Sequence, residues 1–296
     1  MTASVLVPIT ITDTMLTSST VAENEFPEWD SFTEYNIGDK VLSTATHRVY
    51  ESLIDFNIGI DPTDINNQVG LGGYWLDFSA TNRWGMFDTS SSSPTTATTT
   101  FTVVLAAGSF TGLYLGGMET NTTSGTVTIT IKSAPGGATL YSSGAQPINP
   151  STSSFTVNNL TSSATSETTL VFSTTAGKTI SCGMLALGSI TNLGQCLYGA
   201  KLKPKTYSYI DIDAFGNNTI VKRKSSTDMQ CTVSVPIATA NAVALAIQNV
   251  LATPAVWIAS EVGNYSALTV FGLGSGEISY DQPDFAYLSL TVQGLV

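Results

Sequence analysis

Few of the residue types that carry out chemistry occur in this sequence in patterns that would let them act together. Histidine occurs once, at His47, inside Ala45-Thr46-His47-Arg48-Val49-Tyr50, which reads as a surface strand. A Ser-His-Asp triad would have to use that one imidazole, and most histidine-built metal sites are excluded. His47 is therefore expected to be structural. Cys182, Cys196 and Cys231 are odd in number and lack framework spacing. They read as small buried hydrophobes, neither disulfide partners nor zinc ligands. Six acids, Glu23, Glu25, Glu28, Asp30, Glu34 and Asp39, crowd one segment. A facing pair of carboxylates hydrolyses glycosides, but this segment is extended and offers no cleft, so an acidic loop is expected. The D-x-D spacing of a calcium loop is absent there. Asp211-Ile212-Asp213 has that spacing on a strand, which puts both carboxylates on one face, with Lys222 or Arg223 near enough in sequence to neutralise them.

Two short strings mimic catalytic motifs and fail on spacing. Ser275, in Gly272-Leu273-Gly274-Ser275-Gly276, has its glycines at the wrong spacing for a nucleophile elbow. Gly177-Lys178-Thr179 matches the end of a phosphate loop, but Phe172 stands where its first glycine belongs. Neither a catalytic residue, a metal site nor a cofactor is assigned.

The elements that would position any site are β-strands. The chain has 296 residues, 42% of them hydrophobic and only 11% charged, against roughly 25% charged in ordinary soluble domains. It is long enough for two or three small β-domains. A low-charge surface rich in Ser and Thr suits a chain covered by neighbours in an assembly. Charge is unevenly spread. Residues 1–88 hold 13 acids and 3 bases, residues 201–225 hold 6 bases and 2 acids, and residues 226–296 hold 5 acids and no base. The acidic first segment argues against nucleic acid as a partner. The bases Lys201, Lys203, Lys205, Lys222, Arg223 and Lys224 are candidates for contact with an acidic patch on a neighbouring subunit, or a solvated strand face. The start, MTASVLVPITITDTML, alternates apolar and polar residues without a positive n-region, so no secretory signal is expected. No apolar run reaches the ~20 residues that span a bilayer, so no membrane insertion is expected.

Five segments follow from patterning. Residues 1–27 read as an extended arm, with Val5, Val7, Ile9 and Ile11 alternating. Residues 28–88 form an aromatic-rich module holding Trp29, Trp75 and Trp84. Residues 89–98 read as a polar linker. Residues 99–221 carry short apolar strands between turn signals and predict an antiparallel β-sandwich. Residues 222–296 predict an α+β unit, with one helix through Ala240, Val243, Ala244, Ile247, Val250 and Leu251. The expected class is mainly β.

Two resemblances add to this reading. Trp29, Tyr35, Gly38, Asp39 and Val41, followed by Tyr50, Asn57, Pro62 and Trp75, resemble the chitin-binding type 3 module, a small carbohydrate-binding domain. That resemblance implies glycan stacking by Trp29 and Tyr35, with Tyr50 and Trp75 as further candidates. The string Thr81-Asn82-Arg83-Trp84-Gly85-Met86-Phe87-Asp88 resembles a feature of tailed-bacteriophage tail and baseplate proteins. So do Leu193-Gly194, Tyr198-Gly199, Asp213-Ala214-Phe215-Gly216, Val221-Lys222-Arg223, Thr253-Pro254-Ala255-Val256-Trp257-Ile258 and the closing Tyr287–Leu295 stretch. The resemblance implies a non-catalytic virion component at the tail tip or baseplate, made in the host cytoplasm. Its implied partners are other tail or baseplate proteins, copies of itself and host surface glycans. From the residues themselves, Arg83, Trp84 and Asp88 read as a buried structural junction, Arg83 pairing with Asp88 or Asp77 and stacking on Trp84. The alternatives are a secreted carbohydrate-binding adhesin, and a glycoside hydrolase.

Overall fold

The structure, a computed structural model, describes residues 1–90, 92–148, 153–212 and 215–295, with only the backbone of Gly263 and Asn264. The fold is mainly β, built on a large antiparallel sheet with one α-helix. Alternating apolar residues fill three main cores, and a further cluster of Leu6, Tyr114, Met184, Ala186, Val256 and Ile258 lies among strands of the large sheet.

The largest sheet curls into a barrel. Its strand Met184–Cys196 pairs with Thr2–Pro8, which pairs with Ala255–Ile258, then Thr269–Ser279, Phe285–Gly294 and Ser225–Pro236. Ser225–Pro236 returns to the first strand through Gln195↔Ser234 and Cys196↔Val233, closing a six-stranded ring. Inward residues alternate as a barrel requires: Ala3 and Val5, Ala255 and Trp257, Val233 and Val235, Leu288, Leu290 and Val292. The helix Ile237–Asn249 adds Ala240, Val243, Ile247 and, just past its end, Val250 to the same core. Leu251, expected on that face, is exposed, because the helix stops before it.

The second core is a sandwich. The sheet ordered Thr139–Ile148, Gly125–Lys132, Glu167–Ser173, Thr100–Leu105 and Leu16–Ser19 supplies one layer. Phe101, Val103, Val127, Ile129, Leu170 and Phe172 point inward from it, and Phe101 stacks on Phe172 at 4.4 Å. Leu113 and Leu115, with Leu185 and Leu187 from the first half of Met184–Cys196, face them. One long strand thus serves both sandwich and barrel.

The third core is small. Lys40–Ser43, Arg48–Ser52 and Trp75–Ala80 form one sheet, Glu34–Tyr35 and Asn57–Ile58 a two-residue ribbon. Between them lie Tyr35, Val41, Tyr50 and Trp75, with Trp29 and Ile60 partly buried against them.

Several expected boundaries change. The segment 1–27 is not a free arm. Thr2–Pro8 is an interior strand of the barrel, and Leu16–Ser19 lies at the sandwich edge. The linker 89–98 contains the strand Thr95–Thr98, which pairs with Thr179–Cys182. The sandwich does not run to 221, because Met184–Cys196 crosses into the barrel and Lys201–Thr206 pairs with Ser225–Pro236. The C-terminal unit is the barrel itself and needs its first strand from residues 2–8. Sequence periodicity marks strands and not their partners, so these long-range pairings left no local trace.

Candidate functional site

The four rings expected to bind glycan are mostly core. Trp75 is fully buried, its indole N–H donates to the Ile60 carbonyl at 2.9 Å, and it meets Tyr35 edge-on at 5.5 Å. Tyr50 is buried and its hydroxyl pairs with Thr46 Oγ1 at 3.0 Å. Burial, the largest cause, pushes its phenol above the ordinary value. Tyr35 is buried and its hydroxyl accepts the Asp30 N–H at 2.9 Å. A sugar stacks only on an exposed ring face, so Tyr35, Tyr50 and Trp75 do not form a platform. A module this small uses these three rings to build its interior. Trp29 is half-buried. Its backbone N–H donates to the Leu42 carbonyl, and its indole nitrogen is buried with no hydrogen-bond partner.

Around Trp84 and Arg83 the structure shows other partners than those expected. His47, in a tight turn at φ 56°, stacks on Trp84 with centroids 4.2 Å apart and planes 20° apart. Its Nδ1 lies 2.8 Å from Glu23 Oε1 and its Nε2 2.8 Å from Asp13 Oδ1. Whichever ring nitrogen carries the proton, a carboxylate accepts it, and no imidazole lone pair is left facing a cavity. Glu23 also accepts from the Thr81 hydroxyl at 2.7 Å and lies 3.7 Å from the Arg83 guanidinium. Arg83 Nε donates to the Val21 carbonyl at 2.8 Å. Asn82 exchanges two hydrogen bonds with the backbone of Thr96 and donates a third from its own N–H to Glu25 Oε1. The Thr81-Asn82-Arg83-Trp84 string is therefore a clamp in which each side chain ties the module to the N-terminal segment or the sandwich.

Two pairings expected of Arg83 belong to other residues. Arg48 reaches Asp77 at 2.7 Å and Asp88 at 3.9 Å, and the ring on Trp84 is His47. Strand register decides this: Arg48 sits opposite Ala80, next to Asp77 on the same sheet. Asp88 accepts from the Ser90 N–H and Ser93 hydroxyl. Burial, outweighing those bonds and Arg48, holds its carboxyl above the ordinary value.

The basic cluster divides into two places. Lys201, Lys203 and Lys205 alternate along the strand Lys201–Thr206, an outer edge of the large sheet, with Pro204 among them. Lysine and proline on an edge discourage unwanted strand pairing. Lys222, Arg223 and Lys224 stand at the base of a ribbon, Tyr209–Ile212 against Asn218–Val221, that runs on from the Lys201–Thr206 and Ser225–Pro236 pair and, among the described residues, has no third strand beside it. Arg223 lies 4.9 Å from the Tyr209 ring and Lys205 5.5 Å from Tyr207. On this ribbon Ile210 faces Ile220 across the strands, and with Ile212 they are 61%, 63% and 64% exposed. Asp211 is exposed on the opposite face; Asp213 and Ala214 lie outside the described residues.

A second exposed apolar set was not expected. Phe32, Ile37, Phe56 and Ile58 are 89%, 65%, 74% and 53% exposed. They crowd one end of the module: Ile58 pairs with Glu34, and the Ile37 N–H donates to Asp55 beside Phe56. Around them Asp30 and Asp39 cap loops through the Phe32 and Asn36 N–H groups. The only hint in the sequence was more apolar residues than so small a core can bury.

The three thiols are free and buried. Burial pushes Cys182 and Cys231 up to about 12 and raises Cys196, so none is a ready nucleophile. Among the described residues, no group of three His, Cys, Asp or Glu is placed to hold a metal ion, and no helix is long and apolar enough to cross a membrane. Comparison of the chain with protein-family models, curated proteins and solved structures finds no match.

Proposed function

We propose that this protein is a non-catalytic structural subunit of a tailed-phage virion, at the tail tip or baseplate, working as a symmetric oligomer with other tail proteins. The observation that carries the oligomer is the ribbon, which continues the Lys201–Thr206 and Ser225–Pro236 strands past the edge of the large sheet. Two strands with no third beside them bury little apolar surface, and among the described residues nothing covers the three isoleucines that this stretch holds outward. Low charge, two-sided sheets and a second apolar cluster on the module support the same reading. The phage assignment rests on the string from Thr81 to Asp88 and the C-terminal stretches that resemble tail proteins. Contact with surface glycans has less support, since three of its four rings lie in the core and Trp29 is half-buried.

Light scattering and negative-stain imaging of the purified chain test the oligomer, and mass spectrometry of purified tailed particles that encode it tests the location. Discrete rings, together with stoichiometric peptides in particles, are expected. A monodisperse monomer that is absent from particles would end the proposal.

A further inference from the structure

We infer that the isoleucine ribbon of one copy docks on the acidic, apolar end of the module of the next copy, joining subunits head to tail. The inference rests on the oligomer reading above and specifies its contact.

The two surfaces match in chemistry. The ribbon presents Ile210, Ile212 and Ile220 on one face, with Lys222 and Arg223 at its base. The module end presents Phe32, Ile37, Phe56 and Ile58, with Asp30 bonded to the Phe32 N–H, Asp39 to the Asn36 N–H, Asp55 to the Ile37 N–H and Glu34 paired with Ile58. Among the described residues, no ion pair neutralises the charges on either side. All three bases of the first segment have local partners: Lys40 with Glu51, Arg48 with Asp77, Arg83 with Glu23. That leaves the acids at the module end without a cation. Among the described residues, no ion pair engages Lys201, Lys203, Lys205, Lys222 or Arg223. Both apolar sets are more than half exposed in the single chain, so they do not cover each other within it.

Opposite charge around an apolar centre is the arrangement of a specific interface, with charge setting register and burial supplying most of the affinity. Because ribbon and module end are different patches, the contact is heterologous. Repetition closes a ring when the rotation allows it and otherwise runs into a filament. Covering the ribbon would also supply the second layer it lacks.

The experiment uses the full chain. Ile210→Ser with Ile212→Ser, and separately Phe32→Ser with Phe56→Ser, change only exposed side chains. Unchanged circular dichroism and melting temperature confirm that both variants fold. Each is expected to weaken self-association by about tenfold or more, and raising salt from 0.05 to ~0.5 M weakens the wild type. Ile212→Cys and Phe56→Cys give the sharper reading, since the native thiols are buried. Under mild oxidation the two variants mixed are expected to form a disulfide between copies, while either alone does not.

Self-cross-linking of either variant alone, or an oligomer untouched by both serine pairs, overturns this contact and leaves the oligomer reading standing. A glycan that needs Phe32 and Phe56 while the oligomer persists in their absence also overturns it. A wild-type chain that is monomeric at every concentration overturns both.

Discussion

The His47 imidazole lies flat against the Trp84 indole, 4.2 Å between centroids, with a carboxylate on each of its ring nitrogens. His47 belongs to the small module and Trp84 to the sandwich core. The stack therefore joins two units through one turn. Glu23 sits behind it and bonds His47, Thr81 and Arg83 together, so the first segment, the module and the sandwich share one polar node. Networks of this kind stabilise when every member is satisfied, and removing one member strands the others.

That arrangement predicts unequal costs. Trp84→Ala empties a core position and is expected to destabilise the protein by about 3–5 kcal/mol. His47→Ala leaves Glu23 with less than its full set of donors and is expected to cost about 1–3 kcal/mol. His47→Ala should also loosen the module, seen as faster proteolysis near residues 89–94 with the barrel intact. Urea denaturation and timed proteolysis measure both effects. If His47→Ala matched the wild type in both assays, the node would be packing around Trp84 alone.

Asp88 predicts a pH dependence of definite sign. Burial holds its carboxyl above the ordinary 3.8 in the folded protein, against the pull of Ser90, Ser93 and Arg48. The folded state therefore keeps this proton to higher pH than the unfolded chain does. Its contribution to stability is fully present below about pH 4 and is lost as pH rises through the folded value. Asp88→Asn keeps an acceptor for the Ser90 N–H and removes the titration. The difference between wild-type and variant urea midpoints should shift in the variant's favour as pH rises from ~4 to ~6. The opposite trend would mean that Arg48, 3.9 Å away, outweighs burial.

The sequence was legible where periodicity is local. Alternation along Gly125–Lys132, Glu167–Ser173 and Phe285–Gly294 produced the observed strands, and helical spacing after Pro236 produced Ile237–Asn249. The ten residues of Thr139–Ile148, rich in Ser, Gly and Gln, gave no such signal because they form an outer strand with most side chains in solvent. The closing of the barrel through residues 2–8 was illegible for a different reason. An alternating strand looks the same whether its partner is ten or two hundred residues away. At the junction, residue types pointed to a node around Arg83 and Trp84 and could not say which carboxylate Arg83 meets, since that follows from how distant segments pair.

Glycines on the strand Thr269–Ser279 carry a last prediction, because there the barrel leaves no space for a methyl group. A Cβ on Gly274 would sit 2.0 Å from the Trp257 ring. Trp257 is fully buried, and its indole N–H donates to the Gly272 carbonyl at 3.1 Å, so the ring is held by packing and by a hydrogen bond and has no room to retreat. Overpacking of this kind costs about 1–3 kcal/mol even when neighbours adjust. Gly276 offers the control on the same strand: its nearest neighbour, at 2.6 Å, is the terminal Leu288 Cδ1, which turns aside at small cost. Gly274→Ala is therefore expected to lower the urea midpoint well beyond Gly276→Ala and to change the tryptophan emission, since Trp257 must shift. Equal midpoints for the two variants, with unchanged fluorescence, would show that Trp257 does not close the barrel against this strand as tightly as the geometry states.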